Sequence, residues 1–373
     1  MTALASSLPL EILQLIFIFA QDRDSTFLEH AQIIENARMA AIVSHVCQHW
    51  RAAALGLRDL WSFVSDDRDG LWQEYAKRSD PLPLAFAVAD PEPDYPLPDS
   101  TERVHNMVLR VIFAEGRLFA VMNSSSFPNL HTLSVFGDYL PIPALRDPDT
   151  RTALPYQNRF LALKNLHLEG VESPGIPVFP CLETLSANVI YIPIMTILIP
   201  SASTLTHITF GADIGPRPRP STRIVLPALK TFTLNNTRLV ITFWLCTPAL
   251  EVLRLQGYTE RPLQAIETAL SAWKQEPLVM LSELILHVDK VCDSFWNIPN
   301  MFVAFPNVRR VRLDIPSRET VSYFGCRLND HVWTELYDIA VRVKGEDANE
   351  KLLVAMQRKN ARDLVRGTEL TVM

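Results

Sequence analysis

The sequence predicts an α/β protein: a small N-terminal module of three helices, a repeat solenoid with a parallel sheet, and a helical C-terminal cap. Three observations carry this. The first sixty residues hold two helical patterns, one of them apolar on every side. A Leu-x-x-Leu-x-Leu unit then recurs between residues 126 and 321. After Ser322 the unit fades and helical patterns return. The expected boundaries are 1–64 for the helical module, 65–125 for a linker and N-terminal cap, 126–321 for the repeats, and 322–373 for the C-terminal cap and tail.

Bulk properties narrow the function classes. A chain of 373 residues can bury one large core and a small one. Hydrophobic residues at 48% and charged residues at 20% are globular usage. A net charge of −6 gives no footprint for nucleic acid or for a membrane surface. With only 12 glycines, Gly-rich phosphate loops are not a theme. The 5 cysteines are scattered and odd in number, which fits reduced thiols in a cytoplasmic or nuclear protein rather than a disulfide framework. The N-terminus lacks a basic segment and Glu11 interrupts its apolar run, so it does not read as a secretory signal. The longest apolar candidate, Val189 to Ile199, contains Pro193 and stops at Pro200, well short of the ~20 residues a bilayer requires. A soluble protein without membrane contact is expected.

The first helix begins at Leu8-Pro9, where proline's missing N–H costs nothing, with Ser7 as cap. As far as Ala20 its only polar side chains are Glu11 and Gln14. A surface helix ordinarily has one wet face, so this one needs cover on two sides. Thr26 to Asn36 reads as partly helical. A second helix is predicted over Ala37–Leu55, because Met39, Ile42, Val43, Val46, Trp50, Ala53 and Ala54 recur at helical spacing and Gly56 ends the run. Leu57–Trp61 forms a turn. So small a module is marginal alone; it leans on the next domain, on a partner, or on both.

Beyond Pro83, Leu84–Val88 reads as a buried strand, followed by an acidic, proline-rich loop over 89–96 and a helix from Ser100 to Met122. The repeat copies start at Leu130, Leu163, Leu182, Leu205, Leu229, Leu250, Leu281 and Val308, at spacings of 33, 19, 23, 24, 21, 31 and 27 residues. Within a copy, positions n, n+3 and n+5 are apolar while n+2 and n+4 are mostly polar, the in–out alternation of a strand. One unit cannot bury its own apolar face; stacked units share a core. Trp333–Val343 and Asp347–Val365 read as helices capping the open end.

These repeats resemble irregular leucine-rich repeats, without the usual asparagine after the second leucine pair. In the N-terminal module, Leu8-Pro9-x-Glu11-Ile12-Leu13, then Val43-x-x-Val46-Cys47-x-x-Trp50-Arg51, then Leu60-Trp61, resemble an F-box, and more closely the fungal F-box proteins that carry degenerate leucine-rich repeats. The chain departs from the compact F-box pattern in the sixteen or so residues, Gln21 to Asn36, that separate its halves.

The resemblance implies a function. F-box helices bind a Skp-type adaptor, through which a cullin and a RING ubiquitin ligase are reached, and the repeats select the protein to be modified. Carried over by position, Leu8, Pro9, Ile12, Ile16, Val43, Val46, Cys47 and Trp50 would face the adaptor, each of them equally a candidate for the module's own core. Trp61 would form the joint to the repeats. An alternative is an interaction scaffold that directs no ubiquitination. For target binding, the strand alternation offers His167, Glu169, Arg254, His287, Arg310 and Arg312, with an acidic ligand suggested by the arginines.

Catalytic motifs are not evident: the sequence has no Gly-x-Ser-x-Gly, Walker or dinucleotide-binding signature. His45 and His49 stand four apart without a third ligand, and read as wet-edge residues rather than a zinc site. No catalytic residue, metal or cofactor is expected. Two glycosylation tripeptides, at Asn123 and Asn235, read as silent in an intracellular protein, and Pro216–Pro220 as a stiff loop.

Overall fold

The computed structural model describes residues 8–21, 27–65, 71–89, 101–111, 127–137, 160–171, 179–188, 194–211, 223–235, 245–258, 278–288, 305–315, 338–343 and 369–372. Ser7, the helix expected over Asp347–Val365, the Asn123 tripeptide and Pro216–Pro220 lie outside them. The chain forms two compact units, dividing between Leu182 and Glu183. Both are α/β with parallel strands added in chain order, the arrangement of a parallel β-solenoid.

The first unit opens with α1 (Leu10–Ala20), α2 (His30–His45), α3 (Gln48–Gly56) and a 3-10 turn (Arg58–Trp61). Pro9 stands just before α1, and its carbonyl accepts the Ile12 and Leu13 amides at 3.1 Å. The second predicted helix is two helices. The chain breaks at Val46, and Cys47 is fully extended (φ −160°, ψ 174°) before α3 starts. The Glu29 and Gln32 side chains form a reciprocal capping box at the start of α2.

Leu13 and Phe17 point inward from α1 and share a core with Ala40, Val43, Ala53, Ala54, Leu60 and Trp61. Phe17 meets Trp50 with ring centroids 5.3 Å apart. Trp61 is buried, donates to the Ala54 carbonyl at 2.8 Å and meets Tyr75 edge-on.

Five parallel strands follow: β1 (Phe63–Ser65), β2 (Leu84–Ala89), β3 (Val104–Val111), β4 (Thr132–Gly137) and β5 (Asn165–Glu169), with α4 (Leu71–Arg78) between β1 and β2. The expected 84–88 strand is present. Over its described part, 101–111, the helix expected from Ser100 to Met122 is instead a short 3-10 turn and β3, because Val104 to Val111 is hydrogen-bonded on both sides by neighbouring strands; the rest lies outside the described residues. β1 crosses the expected boundary at residue 64, so the sheet begins inside the sequence assigned to the helical module.

The second unit contains β6 (Thr184–Asn188), α5 (Met195–Leu198), β7 (His207–Phe210), β8 (Ile224–Val225), β9 (Thr231–Asn235), β10 (Leu245–Cys246), β11 (Val252–Tyr258), β12 (Glu283–Val288), β13 (Arg310–Ile315), β14 (Asp338–Val343) and β15 (Glu369–Val372). β6, β7, β9 and β11 to β15 pair in that order, all parallel, while β8 and β10 form a separate short ladder. The expected Trp333–Val343 helix is thus corrected over its described part: Asp338–Val343 continues the sheet. Its alternation, Asp-Ile-Ala-Val-Arg-Val, has period two, and β13 offers it a ladder to join.

Every predicted repeat supplies a strand starting at n+2. The n residues, from Leu130 to Val308, and the n+3 residues, from Leu133 to Val311, are all buried. A turn precedes each strand. In at least five copies the n amide donates back to the n−3 carbonyl, as Leu130 to Phe127 and Leu281 to Leu278 do at 3.3 and 3.1 Å. The n−3 side chains Phe127, Phe160, Phe179 and Phe305 are buried. Neighbouring copies join through the n+1 carbonyl, which accepts two amides from the next copy, as His131 does from Lys164 and Asn165. In the two Phe-Pro-Asn copies the asparagine also bridges repeats: Asn129 donates to the Glu102 carbonyl at 2.8 Å and Asn307 to that of Val279 at 2.7 Å.

Candidate docking surface and the polar sheet face

The first candidate surface lies on the helical module. With Leu13 and Phe17 turned inward, Ile12, Leu15, Ile16 and Phe19 recur at i, i+3, i+4 and i+7 on the outside of α1, and all four are exposed. Phe19 is 84% exposed. Burying such a side chain contributes about 2 kcal/mol, so leaving four in water is costly. Ile42, Val46 and Leu55 add exposed apolar groups on α2, at the α2–α3 break and on α3.

Polar groups hold α1 in place. Gln14 Nε2 donates to the Ala53 carbonyl at 3.2 Å, Gln21 Nε2 to the Leu60 carbonyl at 3.1 Å, and His49 Nε2 lies 2.6 Å from the Leu8 carbonyl. The last contact brings Leu8-Pro9 beside the start of α3, next to Val46 and Cys47.

The eight sequence-derived adaptor positions therefore divide. Pro9, Ile12, Ile16, Val46 and Cys47 are exposed; Leu8 and Trp50 are half-buried against the module's core; Val43 is inside it. Leu15, Phe19, Ile42 and Leu55 belong to the exposed apolar set and were not singled out. The signal for Leu15 and Phe19 was present, since both continue the helical stripe of Ile12 and Ile16.

The second surface is the n+2/n+4 face of the sheet. In the first unit the chain covers it itself. Leu28 and Ile33, both within the Gln21–Asn36 insertion, are buried with Phe63, Ala85, Ala87 and Val108 of β1 to β3, with Phe136 of β4 against the same cluster. Phe27 packs on His167 of β5, which also meets Phe136.

Burial lowers the pKa of His167 below its ordinary 6.5, although Glu169, 3.6 Å away, and Glu29 act in the opposite sense. Burial and the Arg110 guanidinium lower that of His30. His167 and Glu169, predicted as target-binding, thus sit at the margin of a roof rather than on an open face.

In the second unit the same face is mostly half-buried, with Thr233 and Glu283 buried and His207, Arg254 and Arg312 exposed. Ser186, Thr209, Thr233 and Arg254 form one in-register row across β6, β7, β9 and β11. Arg254 continues in register to Ile285 and Arg312. Arg254 and Arg312 are exposed; His287 and Arg310 are half-buried. Arg312 Nε lies 3.0 Å from Glu283 Oε1, whose side chain is only 12% exposed. Arg310 stands in register between Glu283 and Asp338, and its Nε is buried without a hydrogen-bond partner among the described residues. The structure brings Arg254, Arg310 and Arg312 to one patch of the second unit, while His167 and Glu169 belong to the first.

His45 and His49 fall in different helices. His45 Nδ1 lies 3.4 Å from an Arg51 nitrogen, and His49 engages Leu8. No group of three His, Cys, Asp or Glu able to hold a metal occurs among the described residues, and no described helix is long and apolar enough to cross a membrane. A scan against protein-family models finds no match, and a search of curated proteins finds no relative.

Proposed function

We propose that the chain recruits target proteins to a Skp–cullin–F-box ubiquitin ligase. In this reading α1 and α3 dock on a Skp-type adaptor and the repeats hold the target. The role is non-catalytic and intracellular. One observation carries it above the others: Ile12, Leu15, Ile16 and Phe19 form an outward apolar stripe, exposed among the described residues, on a helix whose inner stripe is already used. The F-box resemblance supplies the partner's kind, and the contact between His49 and Leu8 supports it by gathering the motif's two halves.

The test is co-expression of the full chain with a Skp-type adaptor. The wild type is expected to co-purify with it, and Ile16→Asp and Phe19→Asp, both at exposed positions, to lose it while keeping wild-type melting temperatures. If the wild type recovers no adaptor, or both variants still capture it, this reading fails.

A further inference from the structure

We infer that the open polar face across β11 to β13 holds an acidic, extended segment of the recruited protein. This rests on the proposed target-binding role of the repeats and adds the ligand's chemistry. The first unit's polar face is roofed by Leu28 and Ile33, whereas the second unit's keeps Arg254 and Arg312 exposed. There the rows of β6, β7 and β9 are uncharged at the central position (Ser186, Thr209, Thr233). From β11 to β13 the face turns cationic. Arg254, Arg310 and Arg312 share this face with Glu283 and, by register, Asp314, and Asp338 of β14 follows Arg310, on a chain whose net charge is −6.

Arg254 has no ion pair or hydrogen bond among the described residues. Glu283, largely buried, fixes Arg312 through Nε and leaves its terminal nitrogens as donors. Arg254 and Arg312 lie two strands apart in one register row, with half-buried Ile285 between them. Strand spacing puts their Cα atoms about 10 Å apart. An extended chain advances about 3.3 Å per residue, so carboxylates about three residues apart can reach both guanidinium forks, each with two parallel N–H donors. An apolar residue between them would meet Ile285.

The experiment uses the full chain and a fluorescein-labelled deca-glutamate peptide in fluorescence anisotropy, with labelled deca-lysine as control. The acidic peptide is expected to bind, more weakly as salt rises, and the lysine peptide not to bind. Arg254→Gln with Arg312→Gln should weaken binding at least tenfold without altering the circular dichroism spectrum, whereas Arg58→Gln, exposed on the helical module, should leave it unchanged. No binding, equal binding of both peptides, or an unaffected double variant overturns the inference. Adaptor capture is measured on the same preparations: its loss with peptide binding retained strikes the proposed function and spares the patch, while the reverse strikes this inference alone.

Discussion

Phe27, in the connection between α1 and α2, lies on His167 of β5 with ring centroids 5.5 Å apart. The contact ties the helical module to the fifth strand of the sheet, 140 residues further along the chain. Around it, Leu28 and Ile33 reach β1, β2 and β3.

The roof should therefore unfold with the sheet beneath it. Ile33 is fully buried, and Ile33→Ala is expected to cost about 2–5 kcal/mol. Hydrogen exchange provides the check: amides of α2 and of β1 to β3 should lose protection together. Loss confined to α2 would contradict a shared core.

The two stripes of α1 should respond oppositely to truncation. Leu13→Ala opens the core and is expected to cost about 2–5 kcal/mol, whereas Phe19→Ala should stay within about 0.5 kcal/mol. Urea denaturation of the isolated chain measures both. A large loss at Phe19 would mean that the chain covers its own outer stripe.

Acid should loosen the roof. His30 and His167 both have folded-state pKa values below 6.5. The folded form stays neutral where the unfolded form takes up protons, so the contribution of these residues is full above 6.5 and declines as pH falls through it. The melting temperature should drop between pH 7.5 and 5.5. Because carboxylates titrate as well, the variant is the readout: His30→Gln with His167→Gln should reduce that drop. An unchanged drop would show that the two rings do not set it.

Gly137 and Gly170 meet at the C-terminal ends of β4 and β5. A Cβ on either would run into the other's carbonyl, and Gly170 has φ +63°. Gly170→Ala is expected to cost at least about 1–2 kcal/mol from backbone conformation, and more through the carbonyl. The urea midpoint should fall accordingly, and a neutral substitution would refute the close approach.

The repeats were the most legible part of the chain. All eight copies became strands in the expected phase, because n and n+3 in every copy are buried and tolerate only apolar groups. β3 was misread because Val104–Val111 joins a parallel sheet, where an apolar run lacks clean alternation and resembles a buried helix. The α2–α3 break escaped because neither Gly nor Pro marks it, although Cys47 there is extended. On α1 the doubled apolar character was plain, and its division into an inner pair and an outer stripe became visible only once the core was placed. The insertion, Gln21 to Asn36, read as a departure from the F-box pattern. It is the segment that supplies Leu28 and Ile33 to the sheet.

That insertion bears on modularity. Because β1 pairs in register with β2 directly after the helices, and α2 shields the face of the first strands, the helical module cannot be exchanged as a cassette at residue 64. A chimera cut there would uncover Ala85, Ala87 and Val108 and leave β2 as a bare edge inviting aggregation. Any graft of a foreign helical head onto these repeats would have to bring its own cover for that sheet.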